Sequence, residues 1–236
     1  VSGVVAGSIL VADPSKVGLA VLAGIAVCGL FGAINGLFTA YAGVPPFVAT
    51  LAGMTMARGF AYVYSDGKPY TLASEGFSVI GKGYAPIIIF LVILLISNFI
   101  LSKTKFGRYI YATGGNSRAA MASGVNVKKV TIWVYILSGI LAGISGIVLA
   151  SRTNSGQPAV GTGYETDAIA AAVIGGTSMS GGIGTIGGTL IGILIIGTLN
   201  NSLNLLNVSS YYQQIIKGLI IVGAVCFDIF SKKRSK

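Results

Sequence analysis

The sequence predicts an all-α fold, a polytopic bundle of transmembrane helices with some of the helices discontinuous. Three observations predict it. The 236 residues are 53% hydrophobic and only 9% charged, whereas soluble domains carry about 25% charged residues. The apolar residues gather into runs of the length that crosses a bilayer, about 20 residues. Glycine is abundant at 35 residues, as it is in transmembrane helices, and a proline pair and glycine clusters interrupt the runs.

Taken in order, residues 1–11 are apolar but too short to span. They read as the tail of a helix that starts outside this chain, because Val1 is preceded by no Met and no signal-peptide pattern. Residues 17–41 form the first full span. Residues 47–64 form a second, set off by Pro45-Pro46, which breaks the helix before it. Residues 65–83 are a polar connection with Asp66-Gly67 as its turn. Spans follow at 86–101 and 130–150, then a loop at 151–163 with Gly156 and Pro158. The short Ala-rich segment 167–174 runs into GGTSMSGGIGTIGG, where a helix break is expected between positions 174 and 187. Residues 188–206 and 211–230 complete the set.

The longest polar connection, residues 102–130, holds Lys103, Lys105, Arg108, Arg118, Lys128 and Lys129 and no acid. Basic loops stay in the cytoplasm, so this loop and the tail Lys232, Lys233, Arg234 and Lys236 are placed there. Residues 116–122 read as a short helix, capped by Asn116 and stopped by Gly124. Its small face, Ala119, Ala120 and Ser123 with Arg118 at the rim, suits contact with another protein. If both basic regions share one side, an even number of crossings separates them. The segment from 167 to about 180 must then cross, short as it is, as a partly unwound helix buried by its neighbours. The loops at 13–16, 65–83, 151–163 and 207–210 then face outward.

The chemistry of the chain excludes several classes. There is no histidine, and Cys28 and Cys226 have no metal-ligand spacing, so no catalytic site, metal site or cofactor is expected. GFSVIGKG at 76–83 fails as a phosphate loop because Gly83 has no hydroxyl to hold magnesium. GIGTIG at 182–187 has no strand–helix–strand context, and position 207 is Asn where a dinucleotide fold needs an acid. Any use of ATP therefore belongs to a separate subunit. The net charge of +10 sets orientation in the bilayer and does not signal a nucleic acid partner.

Two further patterns leave alternatives open. Gly184, Gly188 and Gly192 share a helix face, as do Gly139 and Gly143, which serves helix packing within the subunit or contact between subunits. Charged and amide groups near the spans are candidates for a solute path: Arg58, Asp167, Asn200 and Asn204, with Phe47 at the head of the second span. Equally, Arg58 can snorkel, Asp167 can sit beside Glu165 at a helix mouth, and the asparagines can join helices.

The stretch GRYIYATGGNSRAAMASGVNVKKVTIWVYILSG resembles the cytoplasmic coupling region of inner-membrane permeases in ABC sugar importers, nearest to the ribose/xylose/arabinose group. VPPFVATLAGMTMARGFAYVYSDGKPY, DAIAAAVIGGTSMSGGIGTIGGTLIG and NNSLNLLNVSSYYQQIIKG agree with it in the same order. Such permeases have further N-terminal spans with an acidic IDLSVG-like motif, so this chain is expected to be a single permease domain, residues 1–236, without those spans. The resemblance implies a bacterial cytoplasmic membrane protein that pairs with a second permease subunit, probed from outside by a sugar-binding protein and driven by two cassette ATPases. It places the coupling contact at Asn116, Arg118, Ala119, Ala120 and Gly124, within the loop 102–129. The outward residues Gln157, Ser209, Tyr211 and Tyr212 would meet the binding protein, although the tyrosines also suit an aromatic belt. A branched-chain amino acid permease shares this architecture. An ion-gradient-driven transporter is the rival from another class, and it calls for an ionisable relay within the spans.

Overall fold

The computed structural model describes residues 1–72 and 74–234 of the chain. Among them are eleven helices and one two-stranded ribbon, in two compact units. Ser235 and Lys236, the end of the basic tail, lie outside the described residues.

The first unit comprises residues 1–93 and 126–160. It holds α1 (Ser2–Ala12), α2 (Val17–Ala40), α3 (Pro46–Ser65), β1 (Tyr70–Thr71), α4 (Glu75–Gly81), α8 (Val127–Thr153) and β2 (Ser155–Gly156). Its centre is the antiparallel pair α2 and α8. Glycine makes that approach close. A Cβ on Gly139 would strike the carbonyl of Cys28, and one on Gly32 the carbonyl of Tyr135, so bare backbone meets bare backbone and dispersion contacts are gained along the whole crossing. Ala6 and Leu10 of α1 pack with Ala20, Ile147 and Ala150 against Phe77. At the far end the Lys128 ammonium lies 4.7 Å above the Tyr41 ring.

Residues 65–83 are more than the connection expected of them. The turn is there, with Asp66 and Gly67 both in the left-handed region. Beyond it β1 pairs antiparallel with β2, Tyr70 opposite Gly156 and Thr71 opposite Ser155. α4 then turns Phe77 completely inward, and the buried Ser151 hydroxyl donates to the Phe77 carbonyl at 2.6 Å. The segment is rich in polar residues, among them Ser65, Asp66, Lys68, Ser74 and Glu75. Its one buried ring is what decides its structure.

The second unit comprises residues 94–125 and 161–236. α5 (Ala85–Lys103) leads into it, followed by α6 (Lys105–Gly115), α7 (Ser117–Ala122), α9 (Tyr164–Ile174), α10 (Ile186–Leu205) and α11 (Ser210–Arg234). α6 is a correction: the basic loop is largely helical. Thr104 starts it, its hydroxyl accepting the Gly107 N–H at 3.2 Å, an ordinary N-cap. α9 and α10 are separated by an irregular stretch, 175–185, in which Gly176, Gly181 and Gly182 have positive φ. The two expected breaks are therefore present, this one and the one at Pro45-Pro46, where Pro46 opens α3.

Helices occupy all six expected full spans. Four of them, α2, α5, α8 and α10, are long and apolar enough to cross a membrane. α3 and α11 have the length, 20 and 25 residues, but carry Thr50, Thr55 and Arg58, and Gln213, Gln214 and Lys217. The glycine stripes are also settled. Gly188 and Gly192 of α10 lie against the backbone of Gly175 and Ala171, and Gly143 of α8 against Ile25 of α2, so both stripes pack inside the subunit.

The topology has a direct test. Ser117 is exposed on α7. In a variant without Cys28 and Cys226, a cysteine at Ser117 is expected to resist an impermeant thiol reagent in intact cells and to react after permeabilisation. Labelling from outside would reverse the orientation.

Candidate solute path and coupling surface

α7 is short and well terminated. The Asn116 side-chain oxygen accepts the Ala119 N–H at 3.0 Å. At the other end Gly124, with φ +83°, donates to Met121 and Val125 donates to Ala120. These are the paired bonds of a glycine-stopped helix. Arg118, Ala119, Met121 and Ser123 are exposed, whereas Ala120 is only 5% exposed. The face offered to a partner is thus narrower than the sequence suggested. A run of small residues does not reveal which of them its own chain covers, and Ala120 is turned inward.

α6 connects this loop to the irregular stretch. The Tyr111 hydroxyl donates to the Gly184 carbonyl at 2.6 Å. Gly114 and Gly115 lie against Gly181 and Gly182 with no side chain on either side: a Cβ on Gly182 would come within 2.7 Å of the Gly115 Cα. The sequence contains both glycine pairs, GG at 114–115 and at 181–182, but nothing in it says that they touch.

Asp167 and Asn200 come together, joined by a residue the sequence reading passed over. Lys217 Nζ stands 2.8 Å from Asp167 Oδ1 and 3.0 Å from Oδ2. Asn200 Nδ2 donates to the same Oδ2 at 3.2 Å. The contact to Oδ1 is one of charge, since that oxygen receives no well-directed hydrogen bond. Three helices, α9, α10 and α11, meet at this cluster, and its Asp and Lys side chains are 23% and 21% exposed. One turn further along α10, Asn204 accepts a hydrogen bond from Gln213 at 2.8 Å. Asn200 and Lys217 thus meet through Asp167 of α9, and Asn204 and Gln213 bond directly between α10 and α11. The signal for Lys217 and Gln213 was their helical spacing of four within YYQQIIKG.

Arg58 and Phe47 lie on α3 in the first unit, Arg58 half-buried and Phe47 76% exposed. Gln157 is exposed beyond β2, in the same unit. Ser209, Tyr211 and Tyr212 are exposed where α10 turns into α11. At the loop before α2, hydrogen bonds from Ser15 and the neighbouring Lys16 ammonium hold the Asp13 carboxyl down to about 2. The Asp13 carboxyl therefore stays ionised across the physiological pH range. Among the described residues no group of three His, Cys, Asp or Glu side chains could hold a metal ion.

Helices of membrane length packed through glycine, with polar side chains paired to one another across helices, make this a polytopic membrane protein. Over residues 1–225 the chain matches the family described as "Branched-chain amino acid transport system / permease component", and it belongs to that family. It is 48% identical over 235 residues to the ribose import permease protein RbsC of Bacillus subtilis, covering 96% of this chain and 72% of that protein. Its identity to RbsC of Escherichia coli K12 is 46% over 236 residues, 96% of this chain and 73% of that one. To the L-arabinose transport system permease protein AraH of the same strain it is 42% over 208 residues, 86% and 63%. No solved structure matches the chain. The chain is a multi-pass bacterial membrane protein and a permease component, a transport subunit and not an enzyme.

Proposed function

We propose that this chain is the permease subunit of an ABC importer for a monosaccharide, ribose or a related pentose, in the bacterial cytoplasmic membrane. The observation that carries this is the identity of 46–48% to proteins named for ribose import, with arabinose and allose permeases at 41–42% behind them. The family's own description names branched-chain amino acids, which keeps that solute class as the alternative. The ion-pair cluster favours the sugar: Asp167 and Lys217 cancel each other's charge, which suits an uncharged solute and offers no lone ionisable group for an ion gradient.

A permease component of an ABC importer works with ATPase subunits and a binding protein. Here a second copy of the permease completes the path. The loop 102–129 lies over the ATPases, with α7 seated on one of them through Arg118, Ala119, Met121 and Ser123, its shape held by Asn116 and Gly124. Movement of the ATPase passes through α6 to the glycine stretch 175–185 by way of Tyr111 and Gly114. Gln157, Ser209, Tyr211 and Tyr212 meet the binding protein outside. In the second unit, Asp167, Asn200 and Asn204 border the solute's route.

Two measurements test this reading. In nanodiscs holding the permease and its ATPase, binding protein loaded with ribose is expected to stimulate ATP hydrolysis, and leucine is not. Stimulation by leucine alone would replace the sugar with an amino acid. For the coupling surface, Arg118→Glu is expected to weaken ATPase association roughly tenfold or more, since reversing a contact charge costs at least about 1.4 kcal/mol. Being exposed, it should leave the melting temperature of the permease alone unchanged. Unaltered association would remove α7 from the interface.

A further inference from the structure

The Asp167–Lys217–Asn200 cluster has an asymmetry that packing alone does not require. A carboxylate only accepts hydrogen bonds, so Asn200 must turn its Nδ2 toward Asp167, and the orientation of its amide is fixed by that contact at 3.2 Å. Asp167 is fixed in turn by Lys217, whose ammonium spans both carboxylate oxygens. The consequence falls on the other end of the amide. Asn200 Oδ1 is buried and has no hydrogen-bond partner among the described residues. A buried acceptor left unpaired costs about 1–3 kcal/mol, and a native structure that tolerates one at a polar crossing of three helices has a reason to.

We infer that Asn200 Oδ1 is an acceptor kept for a hydroxyl donor, and that Asp167 and Lys217 are positioning residues that hold it ready. The donor is a hydroxyl of the transported solute, received as it passes the second unit. This rests on the reading of the chain as a sugar permease. The arrangement discriminates by chemistry. A polyhydroxylated, uncharged solute satisfies the oxygen and meets a charge-balanced pair. A solute lacking the hydroxyl at that position leaves the oxygen unpaired. An ammonium or carboxylate ligand would compete with Lys217 or Asp167 and disrupt the pair that orients the amide. A held water is the other source of a hydroxyl donor, and it would serve every solute alike.

The test uses the assembled permease, ATPase and binding protein in proteoliposomes, with ribose and its mono-deoxy analogues supplied at concentrations that saturate the binding protein. The wild type is expected to transport one deoxy analogue roughly 3–10-fold more slowly than ribose, the value of one ordinary hydrogen bond. Asn200→Ala and the smaller change Asn200→Ser are expected to erase that difference. Lys217→Arg, which keeps the ion pair, is expected to retain it. Asp167→Leu/Lys217→Met, which removes the pair without leaving a lone charge, is expected to fold and to lose the difference. If the Asn200 variants keep the wild-type ratio between ribose and every analogue, or change only the melting temperature, the oxygen serves a water or packing and the inference is overturned. Equal rates for all analogues in the wild type overturn it too. Absence of any wild-type ribose uptake would instead overturn the sugar reading on which it rests.

Discussion

Gly182→Val is expected to be among the most damaging single substitutions in the second unit. Two penalties combine at this position. Its φ of +75° lies in the left-handed region, which a β-branched residue adopts only at a cost of about 1–3 kcal/mol. Its new Cβ would also press on the backbone of Gly115 and Gly114. Backbone cannot swing aside as a side chain can, and overpacking costs about 1–3 kcal/mol more. The sum, about 2–6 kcal/mol, is a large part of the about 5–15 kcal/mol that holds an ordinary domain together. The melting temperature of the detergent-purified permease should fall sharply. Gly197→Ala is the control. Nothing lies within 4 Å of a Cβ there, and the gain in helix propensity over Gly is about 1 kcal/mol, so stability should hold or rise. A Gly182→Val protein that melts with the wild type would mean that α6 does not rest on the glycine stretch.

Lys217→Met is expected to destabilise the same unit by a different route. It leaves the Asp167 carboxylate at a three-helix crossing with only Asn200 beside it. Removing one partner of a buried pair costs about 3–5 kcal/mol. With both groups about a fifth exposed, water screens part of that, and about 2–3 kcal/mol is expected. The double variant Asp167→Leu/Lys217→Met should recover most of the loss, because two apolar groups of similar size replace the pair without stranding a charge. A thermodynamic cycle over the two single variants and the double one measures the coupling. Additive losses would show that the residues do not act on each other.

The parts of the fold that were legible in the sequence are those fixed by local chemistry. The long spans follow from apolar runs, the break before α3 from Pro45-Pro46, and the stretch 175–185 from its glycines. The α7 cap was readable because Asn116 and Gly124 stand where a short helix needs them. What stayed hidden depends on partners far along the chain. α6 was lost in a loop read by its charges, although Thr104 marked its start. β1 was invisible because two residues carry no alternation, and its partner lies far along the chain: Gly156 is 86 residues from Tyr70. Asp167 and Asn200 were picked out singly as polar residues near spans. That they share one site depends on a hydrogen bond across 33 residues of chain, and Lys217, 50 residues from Asp167, completes the cluster. The inward turn of Ala120 is likewise a matter of what covers it, and side-chain size cannot show that.

The most direct test of the central claim is the energy source of uptake. Proteoliposomes containing the permease, its ATPase and a ribose-loaded binding protein should accumulate labelled ribose when ATP is present on the cytoplasmic side. Collapse of all ion gradients with ionophores should leave that accumulation intact, and omission of ATP or of the binding protein should abolish it. Accumulation that continues without ATP and stops when the ion gradients collapse would contradict the account, and would make this chain an ion-coupled transporter in its own right.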